Sequence, residues 1–472
     1  MTDLSRLDAI DQAALVARGE VSALELTEAA IRRIEAIEPT IHAIASADFA
    51  AARARAALPP KGPLGGVPFL IKDLLPYPGQ RCAFGSRLFR ANVASEGSPY
   101  TDRLDAAGLI TLGKSTTSEL GLLGSTETLL HGVTRNPWDL ARSAAGSSGG
   151  AAAAVASGMV PIAHASDGGG SIRIPASVTG LFGFKPGRGR CVSTAQPSFF
   201  DLLSEHCVSR SVRDSALLLS ITEDRSNASL PPLGYVDRPL ARSLRIGFYA
   251  QTLMGDAPDP EIAAALRRAA SLCQSLGHEV APAPPPDVDA PALSDAFFTL
   301  AGASMDQLAT MMLGVLGRPV GPDDLEPFTL SLIERFRASP GDAAPRAVAA
   351  VELAGERMRA YLNGYDVVLC PTVPVAPFAI GTLAPTLDRE TLIRRTEKLA
   401  GYTPIHNMAG VPAMSVPLFT ASAGWPIGIH FAARVGGEAT LLGLAYQLEE
   451  AAPWRDRWPA IATSLGRSPT PA

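Results

Sequence analysis

Residues 146–176 read GSSGGAAAAVASGMVPIAHASDGGGSIRIPA, and the alternation inside this stretch decides the fold. A Gly/Ser-rich loop at 146–150 leads into an alanine-rich segment, 149–158, that predicts a helix. The apolar run at 160–163 predicts a buried strand, and a second glycine-rich loop follows at 167–171. Upstream, 67–71 (VPFLI) and 109–112 (LITL) are short continuous apolar runs of the same kind, with helical patterns between them. Strands buried on both faces and alternating with helices point to an α/β fold. The expected architecture is one large domain with a mixed, mostly parallel central sheet covered by helices on both faces.

Further strands are expected at 244–249, 365–370, 409–417 and 426–432, and helices at 260–276 and 438–450. Near the start, Ser22 is placed to cap a helix running to about Glu38, with Leu24, Ala29, Ile31, Ile34 and Ile37 as its apolar stripe and Pro39 as its stop. A second, Ala-rich helix is expected at 48–57. Residues 1–60 thus read as an N-terminal helical segment packing on a main domain, 61–472, whose less regular stretch is about 190–345 and includes a Pro-rich connector at 281–291. The tail carrying Pro469 and Pro471 reads as frayed. No internal repeat is present.

The 472 residues are 47% hydrophobic and 18% charged with a net charge of −5, a globular composition with no basic block to bind nucleic acid or an anionic membrane. Five scattered cysteines (Cys82, Cys191, Cys207, Cys273, Cys370) form no C-x-x-C pair and argue against a disulfide framework or a zinc knuckle. Cys370, at a strand end, reads as a small buried hydrophobe. With no apolar leader and no membrane span, the chain reads as soluble and cytoplasmic, and the sequence leaves room for a homodimer.

The two glycine-rich segments lie at element ends, where reacting groups tend to sit. The run Gly168-Gly169-Gly170-Ser171 can turn several N–H groups toward one point, as an anionic tetrahedral intermediate requires. A serine there needs a base. The seven histidines (His42, His131, His164, His206, His278, His406, His430) fit no Ser-His-Asp order, and the G-x-S-x-G elbow is missing. Lys72, at the end of an apolar strand, is the better candidate, because burial disfavours its charged form. To work near neutral pH its pKa must fall from about 10.4 to roughly 7–8, a differential of about 4 kcal/mol.

These segments, the 24-residue separation of Ser147 from Ser171, and the upstream GVPFLIKD (66–73) resemble the amidase signature family. The resemblance extends to TRNPWD (134–139), GFKP (183–186), NMAGVPAMSVP (407–417) and Pro426-Ile427-Gly428, and so covers most of the chain. It implies an amidase fold, Ser171 as nucleophile, Lys72 as base and Ser147 as relay, with a cis Gly146–Ser147 peptide. It also implies an oxyanion hole from Gly168, Gly169, Gly170 and Ser171, an acyl-enzyme intermediate, and no metal or cofactor. The implied substrate is a small, fairly apolar amide, linear or cyclic, with esters and carbamates as further candidates. Ser148 is expected to hydrogen-bond near the triad, Asp167 to orient the loop, and Arg173 to anchor it through a salt bridge. Two departures stand out: Ala144-Ala145 where the family often has Pro-Gly or Gly-Gly, and Ser166-Asp167-Gly168 where a Thr-Asp-Thr-like triplet is common. The second is similar to bacterial members that act on cyclic nylon oligomers.

Two rivals are weighed. The chain could be the amidase subunit of a glutamine-dependent aminoacyl-tRNA amidotransferase, although Ile174 replaces the polar residue expected there. Alternatively, 108–115 (GLITLGKS) matches the phosphate-loop pattern G-x-x-x-x-G-K-S, but its four variable positions are themselves the apolar strand, which leaves no free N–H groups to cradle a phosphate. The apolar segment 297–316, with Met305, Met311 and Met312, is read as a core helix, the alternative being a wall of the acyl pocket.

Overall fold

The computed structural model describes residues 3–194 and 201–464, and the structural statements that follow concern those residues. The tail with Pro469 and Pro471 lies outside them. An eleven-stranded sheet runs through the molecule. Its strands are β1 (Ile44–Ala47), β2 (Pro68–Lys72), β3 (Ile110–Ser115), β4 (Ile162–Asp167), β5 (Phe182–Lys185), β6 (Ser204–Ser209), β7 (Arg245–Phe248), β8 (Glu279–Pro282), β9 (Val367–Pro371), β10 (Ala413–Thr420) and β11 (Pro426–Ala432). They lie in the order β1-β3-β2-β4-β6-β5-β10-β11-β9-β7-β8.

At one end β3, β2 and β4 are parallel, and at the other β9, β7 and β8 are parallel. The β1 edge and the whole centre, from β4 to β9, are antiparallel. The sheet is mixed as expected, but "mostly parallel" is corrected, since four of the ten pairings are parallel. Connections set the direction. Only a short turn separates β10 from β11, and a turn that short can join only antiparallel neighbours.

Side chains on β2 alternate between two cores, as a period of two requires. Leu70 packs with Ile31, Ile34, Ala152 and Val155, from helices α1 (Ala23–Ile41) and α2 (Gly149–Ala156). Phe69 and Ile71 pack on the other face with Tyr100, Leu104 and Leu218. Burial on both faces is why the strand reads as an unbroken apolar run. Following α2 come α3 (Arg173–Thr179), α4 (Pro260–Ser275), α5 (Ala290–Leu316), α6 (Pro327–Arg337), α7 (Ala343–Leu362), α8 (Arg389–Leu399), α9 (Pro404–Met408) and α10 (Glu438–Ala451). α4 and α10 cover β10 and β11 on one face, while α5 and α7 pack over Val368 and Cys370 on the other. Cys370 is a buried free thiol, as read from its place at the strand end.

Three expectations change. α1 is capped by Ser22 as read, in a capping box with Glu25, but it passes through Pro39 and ends at Ile41 on a left-handed His42. A proline in the last turn removes only one hydrogen bond, which the Ile37 and Ile41 packing offsets. The N-terminal segment is not purely helical, because Ile44–Ala47 joins the sheet as its edge. The region 190–345 contains a central, fully buried strand, β6. Its sequence, SEHCVS, looks polar, yet its ionisable side chains find partners inside, Glu205 in His164 at 2.9 Å and His206 Nε2 in Ser215 at 2.8 Å, with only the other His206 ring nitrogen left without one among the described residues of this strand.

No helix among the described residues is long and apolar enough to cross a membrane. The phosphate-loop match is β3 itself, paired on both sides, with Lys114 buried and donating to the Leu75 carbonyl. The turn entering β3 depends on Gly108, at φ +86, where an added Cβ would lie 1.7 Å from the Lys61 carbonyl oxygen. Gly108→Ala is therefore expected to lower the thermal unfolding midpoint, at a cost of about 2 kcal/mol or more; an unchanged melting curve would contradict this packing.

Candidate active site

β2 and β4 are parallel neighbours, so their C-terminal ends emerge together. Lys72 is the last residue of β2, Ser147 precedes α2, and Ser171 lies in the loop between β4 and α3. The topology thus brings together three residues spread over a hundred positions. Ser147 and Ser171 line one cavity, and Lys72 lies fully buried behind Ser147.

The Lys72 amine has three neighbours: Ser147 Oγ at 2.7 Å, Ser166 Oγ at 3.0 Å and the Ser166 carbonyl at 3.4 Å. A neutral amine has one lone pair and two N–H bonds. The two Ser166 oxygens can accept those N–H bonds, which leaves the lone pair for the Ser147 hydroxyl. Burial lowers the Lys72 pKa, and Glu205 and Asp167 oppose it, leaving a value of about 7. The Lys72 backbone N–H donates to His164 Nδ1 at 3.3 Å, so the other ring nitrogen, Nε2, carries the proton that goes to Glu205. Burial lowers the His164 pKa against the pull of Glu205 and keeps the ring neutral.

The loop before α2 is held tightly. The Gly146–Ser147 peptide is cis. Gly146 has no room for a side chain, since a Cβ would come 2.5 Å from the Ser125 carbonyl oxygen. Thr126 Oγ1 donates to the Ala145 carbonyl at 2.8 Å and accepts from the Gly149 N–H at 3.1 Å. Ala145, one of the two departures from the family pattern, sits at φ +58. Ser148 bridges to Ser166: its hydroxyl donates to the Ser166 carbonyl at 3.1 Å and accepts from the Ser166 N–H at 3.4 Å.

The loop bearing Ser171 is organised by Asp167. Its carboxylate accepts from the N–H groups of Gly170 at 2.6 Å, Ile172 at 3.2 Å and Arg173 at 3.4 Å. The fully buried Arg173 guanidinium adds a two-pronged pair, Nε at 2.8 Å and Nη2 at 2.9 Å. Burial by itself would raise the Asp167 pKa, but Arg173, Lys185 and Asn407 hold it far below the usual carboxylate range. The oxyanion-hole expectation is corrected in one respect. The Gly170 N–H is committed to Asp167, leaving the amides of Gly168, Gly169 and Ser171 unpartnered among the described residues.

Sequence reading did not assign roles to Ser166, His164, Glu205, Thr403, Asn407 or His430. Asn407 donates to the Asp167 carbonyl at 2.7 Å and to its carboxylate at 3.0 Å, and accepts from Arg173 at 2.7 Å. Arg173 Nη1 also meets His430 Nε2 at 2.9 Å. Burial, His406 and Arg173 push the His430 pKa well below its usual value, so the ring is neutral and accepts. Thr403 donates to the Gly169 carbonyl at 2.7 Å. Asn407 carried a signal as the first residue of the 407–417 segment, and Ser166 as the first of the 166–168 triplet; the others are isolated residues with no local pattern.

Above the serines lies a cavity of ≈ 810 Å³, lined mainly by apolar side chains. Phe297, Phe298, Ala301, Met305, Leu308 and Met311 of α5 form one wall. Both readings of 297–316 hold on different faces: Leu300, Ala303, Ala309 and Met312 are buried as core, whereas Met305 and Met311 belong to the pocket wall, Met311 being 61% exposed. Among the described residues, no group of three or more His, Cys, Asp or Glu is arranged to hold a metal ion.

The family model described as "Amidase" matches residues 25–442. The chain is 35% identical over 484 residues to the 6-aminohexanoate-cyclic-dimer hydrolase of Pseudomonas sp. (strain NK87), covering 98% of each. A solved 6-aminohexanoate cyclic dimer hydrolase complexed with substrate superposes with a TM-score of 0.90 at 34% identity, covering 98% of this chain and 100% of that one. A glutamyl-tRNA(Gln) amidotransferase chain from Thermotoga maritima is more distant, with a TM-score of 0.76 at 25% identity over 96% of each chain.

Removing Arg173 should be costly, because Asp167 would be left as a buried, unpaired charge. Arg173→Met is expected to destabilise the fold by about 3–5 kcal/mol at neutral pH. The loss should shrink in acid: the Asp167 pKa is depressed on folding, so its contribution is present above the unfolded pKa of about 4 and fades as pH falls below it. A denaturation series from pH 7 to pH 3 would check both parts.

Proposed function

The chain belongs to the amidase family, and on that footing we propose that it hydrolyses the C–N bond of a small, largely apolar amide through Ser171, Ser147 and Lys72. The observation that carries this reading is the fully buried amine 2.7 Å from a serine hydroxyl at the floor of an apolar cavity. A lysine so placed is neutral for much of the time near pH 7 and can act as a base.

Lys72 takes the Ser147 proton as Ser147 takes that of Ser171, and Ser171 Oγ attacks the carbonyl carbon. The oxyanion is met by the free amides of Gly168, Gly169 and Ser171, held in place by Asp167. Collapse breaks the C–N bond, and the relayed proton passes back through Ser147 to the leaving amine. Water then hydrolyses the acyl-enzyme by the same relay, which restores Ser171. Ser166 is a positioning residue, holding the two Lys72 N–H bonds away from Ser147. Esters and carbamates share this tetrahedral pathway and belong to the same substrate range. Five free cysteines among the described residues support a reducing, cytoplasmic setting.

The cavity fits glutamine poorly. An amino-acid carboxylate calls for a cation, and the ionisable side chains lining this cavity, Glu96 and Glu397, are acidic. That disfavours the amidotransferase reading, as does the apolar Ile174 in the wall.

The test is amine or ammonia release across aliphatic amides, anilides, a cyclic diamide, carbamates and glutamine. Ser171→Ala is expected to cut kcat on the apolar amides by on the order of 10⁴ or more, and activity that survives it would sink the assigned nucleophile. The sign of the pH dependence follows from Lys72. The neutral base grows as pH rises, so kcat/KM should climb through an apparent pKa of about 7 and then level. A profile already flat between pH 5 and 9 would rule out Lys72 as the base.

A further inference from the structure

α5 lies along the cavity as a ruler, because Ser294, Phe297, Ala301, Met305, Leu308 and Met311 all face it at helical spacing. Its zero point is Phe297, whose ring lies 3.6 Å from where a Cβ on Gly169 would be and so rests on the nucleophile loop. From there toward its C-terminus the helix offers apolar side chains, apart from Ser304 whose hydroxyl donates to the Leu300 carbonyl, out to Met311 about 21 Å away at 1.5 Å per residue. One turn in the other direction, about 4.5 Å, Ser294 donates its hydroxyl to the carboxylate of Glu397 on α8. The cavity is therefore asymmetric about the scissile bond: a long apolar arm on one side and a carboxylate close by on the other.

That carboxylate is short of partners. Glu397 is half-buried, and its hydrogen bond is to the neutral Ser294; no cation pairs with it among the described residues. Lys398, next in sequence, is turned about 100° around the helix and is exposed. Among the described residues the lining holds no Lys, Arg or His, and its other carboxylate is the exposed Glu96. When a substrate fills the cavity, water is stripped from Glu397, and a carboxylate losing its water needs a positive or donating partner. Arg394, one turn before on the same helix, is exposed and donates to Thr391 instead, so within the cavity the substrate is the group placed to provide it.

Resting on the amide-hydrolase reading above, we propose that Glu397 is a specificity-determining residue. It selects amides that carry a protonated amine on a short arm beside the scissile bond and an extended apolar chain on the other side. The same carboxylate repels substrates that place a carboxylate on the short arm.

The test uses three amides with a common medium-length alkyl chain on one side and a short linker on the other, ending in ammonium, methyl or carboxylate. Each is made in both orientations of the amide bond. In wild type, kcat/KM should rank ammonium above methyl above carboxylate in the productive orientation, with at least about ten-fold between the extremes. Glu397→Gln should bring the two charged compounds to within about two-fold of one another, and Glu397→Lys should invert their order. The ratio is read within each enzyme, so it does not depend on how much of a variant is folded. A missing rank in wild type, or a rank that persists in Glu397→Gln, overturns the proposal while hydrolysis of the methyl compound still upholds the hydrolase reading. Failure of wild type on all three overturns both.

Discussion

Asp167 and Arg173 are both without exposure to solvent, and an ion pair in that setting holds only while every remaining lone pair and N–H is met. Here they are. Beyond the pair's own contacts, the partners come from backbone amides of the loop bearing Ser171, the Asn407 amide and the neutral ring of His430. The pair also joins distant pieces of the molecule, because Asp167 ends β4, Asn407 belongs to α9 and His430 lies on β11. One electrostatic arrangement therefore shapes the loop bearing Ser171 and ties the two halves of the sheet around it.

Lys72 shows the opposite use of burial. Its amine is given only neutral oxygen partners, with the acids Glu205 and Asp167 acting from a distance. The result is an amine that exchanges a proton near neutral pH. A direct carboxylate partner would hold it charged and inert as a base. Asp167 and Lys72 lie on adjacent strands, and the difference between them is whether the counter-charge makes contact.

Much of this was legible in the sequence. The buried strands β2 and β4 announced themselves as unbroken apolar runs, and the loops at their ends as glycine clusters. What stayed hidden is instructive. β6 escaped because Glu205 and His206 break its apolar pattern, and their partners, His164 and Ser215, are not local signals. The antiparallel centre escaped because pairings such as β5 with β10 join segments more than two hundred residues apart. Gly170 was counted among the oxyanion donors because glycine shows freedom to turn an N–H, not where the N–H points; the Asp167 carboxylate decides that. The acidic point in the cavity wall, Glu397, sits in a helix whose sequence looks like any solvated amphipathic surface.

The proposed reacting groups all come from 72–171, which also supplies part of the cavity wall, whereas much of the rest of the wall comes from 290–311 and 396–408. The two sets meet at Phe297 over Gly169, at Leu399 against Gly124, and at Thr403 and Asn407 against the loop bearing Ser171. A protein so divided carries its chemistry and its appetite on separate stretches of gene. Point changes along α5 or α8 can redirect what the cavity admits while the bond-breaking apparatus is inherited unaltered, and such a scaffold can be turned toward compounds its ancestors never met.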